Sequence, residues 1–152
     1  MKKRNLLLHF ALCTLLFATG CSFPRVIILK DPLTPEEHLN LGVTYEQQGD
    51  FDNAIKEYNL AAKNLPGALL YLGNAHFQKK EWKRAEDYYR LAIEKEPDNA
   101  DAHNNLAWLY YTRREKLDEA ETLAQKALRL NPGKGDIYRD TLEKIREAKK
   151  GS

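Results

Sequence analysis

The chain has 152 residues, which is enough for one folded domain and too few for two of ordinary size. Charged residues make up 30% and hydrophobic residues 43% of the sequence, a balance typical of a folded protein and rich in helix-forming residues. The formal net charge is +2 with both signs mixed along the chain, so the composition excludes the strongly basic surface that binds nucleic acid.

The first 20 residues are predicted to be an export signal. Three basic residues, Lys2, Lys3 and Arg4, precede an apolar run over residues 6–17, and small residues then lead to Cys21. The apolar run is shorter than the roughly 20 residues that a membrane-spanning helix needs. A basic start, a short apolar segment and a small-residue cleavage site are typical of a secretory signal.

Residues 18–21 (Ala-Thr-Gly-Cys) resemble the bacterial lipobox, in which the cysteine receives lipid and becomes the first mature residue. The resemblance implies a lipoprotein anchored to the membrane through Cys21, in the bacterial cell envelope. Ser22 implies the periplasmic face of the outer membrane. The family usually has leucine or another aliphatic residue where Ala18 stands. The alternative is an ordinary cleaved signal, or an uncleaved anchor, in which Cys21 is incidental.

Residues 21–33 are predicted to be a lipidated tether. Its apolar segment at residues 26–29 (Val-Ile-Ile-Leu) is expected to pack along the first helices of the domain, and the alternative is that it pairs with the edge of a partner's sheet. The second cysteine, Cys13, falls within the signal. The mature chain therefore has a single cysteine and no internal disulfide.

From Thr34 onward, one pattern of large and small residues occurs three times. In each copy, apolar residues at helical spacing predict two helices, small residues allow the helices to approach closely, and a proline ends the second helix. The recurring residues are His38, Leu41, Gly42, Tyr45, Ala54, Tyr58, Ala61 and Pro66 in the first copy; Leu69, Leu72, Gly73, His76, Ala85, Tyr89, Ala92 and Pro97 in the second; and His103, Leu106, Ala107, Tyr110, Ala120, Ala124, Ala127 and Pro132 in the third.

This pattern resembles the tetratricopeptide repeat (TPR), whose period is 34 residues. The resemblance implies an all-α fold: a right-handed α-solenoid of three helical hairpins, at residues 34–66, 67–97 and 98–132. Residues 133–152 are predicted to form a C-terminal capping helix and tail. Thr34 is expected to begin the first helix in a capping box with Glu37, and Asp98 to cap the first helix of the third repeat.

The repeats also depart from the family pattern. The prolines are 31 and then 35 residues apart rather than 34. We therefore expect the first helix of the second repeat to be about one turn short, and the turn of the third repeat, near residues 113–117, to contain one extra residue. Ala124 replaces the usual large aromatic residue, which predicts looser packing in the third hairpin.

The repeats lack the residues of common catalytic sites. The two serines, Ser22 and Ser152, and both cysteines lie outside the repeats, which excludes a serine or cysteine nucleophile there. We predict no enzyme activity, cofactor, metal or small-molecule substrate. The histidines His38, His76 and His103 stand where the family has large aromatic residues. They are expected to pack, because no paired metal-ligand spacing accompanies them.

The resemblance implies a concave groove lined by the first helix of each repeat, mixing amides that bind a peptide backbone with aromatic rings. The groove is predicted to bind a partner protein or peptide. An alternative is that Trp108 belongs to the core and that the asparagines only follow the family pattern. The predicted groove residues are Leu39, Asn40, Val43, Gln47, Leu70, Tyr71, Asn74, Phe77, Gln78, Asp101, Asn104, Asn105, Trp108, Tyr111 and Thr112.

Some family members hold the C-terminal carboxylate of a partner with lysine and arginine residues in this groove. The corresponding positions here carry no basic residue, so we do not expect that class of partner; they are Leu39, Val43, Tyr71, Asp101 and Asn105. The predicted function is a lipid-anchored scaffold or adaptor of the cell envelope. The alternative is a regulatory subunit that recruits a cell-wall or peptidase enzyme.

The lipid anchor makes a direct prediction. In a bacterial host grown with radiolabelled palmitate, the wild-type chain should carry label and Cys21→Ala should not, because the thiol is the acceptor of the lipid. Cys13→Ala is the matched control and should label normally. Equal labelling of the wild type and Cys21→Ala would exclude the lipoprotein assignment.

Overall fold

The first helix begins where the sequence predicts. In a computed structural model, which describes residues 31–151, the Thr34 hydroxyl accepts a hydrogen bond from the backbone N–H of Glu37 at 3.2 Å. The Glu37 carboxylate accepts in return from the backbone N–H of Thr34 at 2.7 Å. With Pro35 in the first turn, the expected capping box is confirmed.

Residues 31–151 contain seven α-helices and no strand. The helices are α1 (Pro35–Gln47), α2 (Phe51–Ala61), α3 (Ala68–Gln78), α4 (Trp82–Lys95), α5 (Ala100–Arg113), α6 (Leu117–Leu130) and, after a 3-10 turn at Pro132–Lys134, α7 (Gly135–Lys150). Each helix packs against the next in the chain, and α3 and α7 also contact α5. The first helices of successive hairpins therefore line one face, and the predicted all-α arrangement of three hairpins and a final helix is confirmed.

All seven helices belong to the unit Leu33–Ser152. The predicted signal, Cys21 and the apolar segment at residues 26–29 lie outside the described residues. Among the described helices, none is long and apolar enough to cross a membrane.

The first two hairpins are each closed by a tyrosine ring lying against a glycine. A Cβ atom added to Gly42 would collide with the ring of Tyr58, and one added to Gly73 would collide with the ring of Tyr89. The two rings are 0% and 2% exposed. Only glycine on the first helix leaves room for such a ring, so the pairing fixes how closely the two helices of each hairpin approach.

The third hairpin exchanges both members of this pair. Ala107 stands in place of the glycine and Ala124 in place of the tyrosine, and both are fully buried. Leu142 and Ile145 from α7 belong to the same core cluster. The matching change on α5 and the side chains that the capping helix adds both offset the lost ring. Looser packing of the third hairpin stays a prediction.

The helix ends confirm one expectation and correct another. Helix α3 has 11 residues against 13 in α1 and 14 in α5, as the shortened second repeat predicts. Asp98 does not cap α5, contrary to the sequence prediction. Its neighbour Asn99 does, because the Asn99 side chain accepts from the backbone N–H of Ala102 at 3.0 Å.

The extra residue in the third turn is Lys116. Each turn is closed by a backbone hydrogen bond to the last recurring aromatic position of the repeat pattern on the first helix: Asp50 to Tyr45, Glu81 to His76 and Glu115 to Tyr110. In the first two hairpins the donor residue is also the N-cap of the second helix. In the third, Lys116 follows the donor with a left-handed backbone (φ 47°) and is the N-cap of α6 instead.

This insertion ties the second hairpin to the third. The Glu86 carboxylate on α4 accepts from the Lys116 ammonium and the Tyr110 hydroxyl, both at 2.7 Å, and from Arg90 at 3.2 Å. Partial burial alone would raise the pKa of Glu86. The hydrogen bonds from these three donors outweigh burial and hold the pKa at about 2, so the carboxylate stays charged at neutral pH.

An equivalent connection joins the third hairpin to the capping helix. Glu121 follows the buried alanine of α6 as Glu86 follows that of α4, and it accepts from Arg146 at 2.8 Å and Lys149 at 2.7 Å on α7. Charged pairs therefore join successive elements along this end of the stack, in addition to apolar burial.

The glycine–tyrosine pair makes a prediction about stability. Gly42→Ala should lower the free energy of unfolding by about 1–3 kcal/mol through overpacking against Tyr58, and Tyr58→Ala by about 3–5 kcal/mol through the cavity left behind. The double variant reproduces the pair found in the third hairpin. Its loss of unfolding free energy should therefore be smaller, by at least about 1 kcal/mol, than the sum of the losses in the two single variants.

Urea denaturation followed by circular dichroism measures these values. Gly67→Ala is the matched control, since a Cβ there meets no atom nearer than 3.9 Å, and it should not destabilise the fold. Strictly additive losses in the double variant would contradict the close pairing.

Candidate functional site

The face formed by the first helices contains a concave pocket of about 250 Å³. Five of the predicted groove residues line it, together with two that the sequence prediction did not include. The five are Asn74, Phe77, Gln78, Asn105 and Trp108, and the two additions are Glu46 and Tyr89. We call this set the groove pocket.

A pair of amides forms one wall of the groove pocket. The Asn105 amide group and the Tyr89 hydroxyl both donate to the side-chain oxygen of Asn74, each at 2.9 Å. Because that oxygen accepts from two donors, the orientation of the Asn74 amide is fixed and its N–H groups are left for other partners. Burial, and secondarily the nearby charge of Glu46, raises the pKa of Tyr89, so its hydroxyl remains a donor.

Glu46 supplies the negative charge of the pocket. Its carboxylate accepts from the hydroxyl of Tyr58 at 2.5 Å, and burial followed by this hydrogen bond raises the pKa of Tyr58. A sequence signal for Glu46 exists. It follows Leu39 by seven residues and Val43 by three, which puts it on the same helical face as two predicted groove residues.

The groove continues toward α7 beyond Trp108. The Trp108 and Tyr111 rings are 5.0 Å apart between centroids, the Lys144 ammonium lies 5.5 Å from the Trp108 ring, and Arg114 lies 5.2 Å from the Tyr111 ring. Lys144 also pairs with Asp140 of its own helix at 2.5 Å. The capping helix therefore forms the end wall of the groove, a role that the sequence analysis did not assign to it.

Seven other predicted groove residues lie outside the groove pocket on the first helices. Tyr71 is half-buried, with its ring 5.5 Å from that of Tyr58. Three more pack half-buried against the core of the first two hairpins, and three are exposed. The half-buried residues are Leu39, Val43 and Leu70, and the exposed residues are Asn40, Gln47 and Thr112.

Asp101 makes structural contacts, and Asn104 is buried. The Asp101 carboxylate accepts from the ammonium of Lys134 at 2.7 Å and from the hydroxyl of Tyr138 at 2.9 Å. Asn104 lies three residues later on the same side of α5 and is 8% exposed. The sequence prediction had both facing an open groove. It did not include the packing of α7 against α5 or the contact of Lys134 with Asp101.

The three histidines of the repeats are buried and hydrogen-bonded. The contacts are His38 with Glu57 at 2.7 Å, His76 with Glu81 at 2.7 Å, and His103 with the backbone carbonyl of Pro97 at 2.9 Å. His76 also stacks on Tyr88 with the ring planes 4° apart. These contacts give the histidines the packing role expected of them. No group of three metal-binding side chains occurs within residues 31–151.

Comparison with curated proteins finds relatives that share part of their length with this chain. A human protein O-mannosyl-transferase, TMTC2, is 31% identical over 118 residues, which are 70% of this chain and 14% of that protein. Protein bimA of Emericella nidulans is 30% identical over 109 residues, which are 67% of this chain and 13% of that protein. The chain thus spans about one seventh of the length of these relatives.

Solved structures share the fold at low sequence identity. The first TPR domain of Spaghetti (RPAP3), bound to an HSP90 peptide, superposes with a TM-score of 0.70 at 24% identity, covering 80% of this chain and 97% of that chain. The Sgt2 TPR domain from Aspergillus fumigatus superposes with a TM-score of 0.69 at 17% identity, covering 74% of this chain and 77% of that chain.

The sequence matches a tetratricopeptide repeat family over residues 27–68, 39–97 and 72–134, which together cover most of the chain. The helical hairpins, their buried small residues and the structural neighbours agree with this match. The chain therefore belongs to the tetratricopeptide repeat family, whose domains mediate interactions between proteins.

Proposed function

We propose that this protein is a lipid-anchored adaptor of the bacterial cell envelope that holds an extended segment of a partner protein in its concave groove. The observation that carries the proposal is the groove pocket, in which amides and aromatic rings of the second and third hairpins meet the Glu46 carboxylate of the first. Amides can both donate to and accept from a peptide backbone, and aromatic rings give large contact area at little entropic cost.

The fixed orientation of the amide pair supports recognition of a peptide. Because Tyr89 and Asn105 hold the Asn74 oxygen, a bound segment meets a prearranged set of donors and loses less free energy to ordering side chains. The peptide-bound structural neighbour supports the same mode of use for this fold.

The composition of the pocket supports binding without catalysis. It combines one carboxylate with neutral amides and aromatic rings, and no histidine, lysine or second acid lines it to exchange protons with Glu46. The lipobox-like segment ending at Cys21 supports anchoring in the envelope, where a tether of about a dozen residues would hold the groove near the membrane surface.

Replacing the largest groove side chain tests this proposal. We expect the full-length chain to select peptides from a phage-displayed random 12-residue library. We expect Trp108→Ala to weaken the binding of a selected peptide at least tenfold, because the ring is the largest contact surface that lines the groove pocket. Titration of labelled peptide measures the affinity, and circular dichroism should show unchanged helicity.

Tyr88→Ala is the matched control, since that ring is also half-buried but packs on His76 away from the groove pocket. It should bind peptide as the wild type does. If Trp108→Ala and the wild type bind the selected peptides equally well, the groove is not the binding site.

A further inference from the structure

The negative charge of the groove pocket has no ion-pair partner in the described part of the protein. Glu46 is the single charged residue among those that line it, and within residues 31–151 no lysine, arginine or histidine lies within ion-pair distance of Glu46. Asp101 on α5 and Asp140 on α7 differ in this respect. Asp101 pairs with Lys134, and Asp140 pairs with Lys144.

Two side-chain oxygens of the groove pocket are available to a bound donor. Tyr58 uses one of the Glu46 oxygens, while the second takes part in none of the hydrogen bonds found within residues 31–151. Asn105 donates through its amide nitrogen to Asn74, which leaves its own side-chain oxygen as an acceptor. The pocket therefore presents oxygens that complement a group with several N–H donors.

The rings that line the pocket favour the same kind of group. Cations are attracted to the faces of tryptophan and phenylalanine rings, and Trp108 and Phe77 both border the pocket. The position of the Lys144 ammonium, 5.5 Å from the Trp108 ring, is an example of this attraction within the protein. The volume of about 250 Å³ suits one long side chain better than a complete small-molecule ligand.

We infer that the groove pocket selects a partner segment by one lysine or arginine side chain, which pairs with Glu46 and lies against Trp108. This inference rests on the proposed function and adds the chemistry of the partner to it. The same carboxylate repels acidic segments, so the partner differs in charge from ligands that present an acidic tail.

Reversing the charge of Glu46 gives the sharpest test. Peptides selected by the wild-type chain from the random library should carry lysine or arginine at one fixed position. Glu46→Gln keeps an acceptor for Tyr58 and should lose that preference, and Glu46→Lys should select aspartate or glutamate there instead. Glu94→Gln, an exposed change outside the groove pocket, is the matched control and should select basic residues as the wild type does.

A double-mutant cycle places the contact. Replacing the selected basic residue of a synthetic peptide by glutamine should weaken its binding to the wild type about tenfold and change its binding to Glu46→Gln by less than about twofold. Peptides that depend on Trp108 but show no basic preference would overturn this inference and leave the groove function intact. Failure to recover any Trp108-dependent peptide would overturn both.

Discussion

The tyrosine ring that lies against a glycine is the contact on which the other features depend. In the first two hairpins this contact sets how closely the helices approach, because the ring occupies the space that a Cβ atom would need. The same side chain continues to the concave face. The hydroxyl of Tyr58 reaches Glu46 and that of Tyr89 reaches Asn74, so the core of each hairpin positions the polar groups of the groove.

In the third hairpin the glycine–tyrosine contact is replaced by two alanines, and the surrounding side chains differ too. Ala107 and Ala124 close that hairpin without a tyrosine, and its position next to α7 brings Leu142 and Ile145 into the same core. Polar contacts then secure the end of the stack, through Glu121 on α6. The capping helix therefore completes both the core and the end wall of the groove.

Much of the fold could be predicted from the sequence, because helix periodicity and small residues at fixed spacing depend on local chemistry. The site was harder to predict. Glu46 shares a helical face with Val43, but its hydrogen bond from Tyr58 of the next helix depends on tertiary packing. Helical periodicity predicts that Asn104 is exposed, but tertiary packing around α5 buries it. No local pattern in the sequence encodes that packing. Cys21 lies outside the described residues, and its lipidation stays a prediction.

Removing the hydroxyl of Tyr89 while keeping its ring tests most directly whether one side chain serves both the core and the groove. For Tyr89→Phe, we predict a free energy of unfolding within about 1 kcal/mol of the wild type, since the ring still fills the space beside Gly73. We also predict that a groove-selected peptide binds about fivefold more weakly, because Asn74 loses one of the two donors that orient it. Wild-type peptide affinity in Tyr89→Phe would contradict the claim that the hairpin core positions the groove.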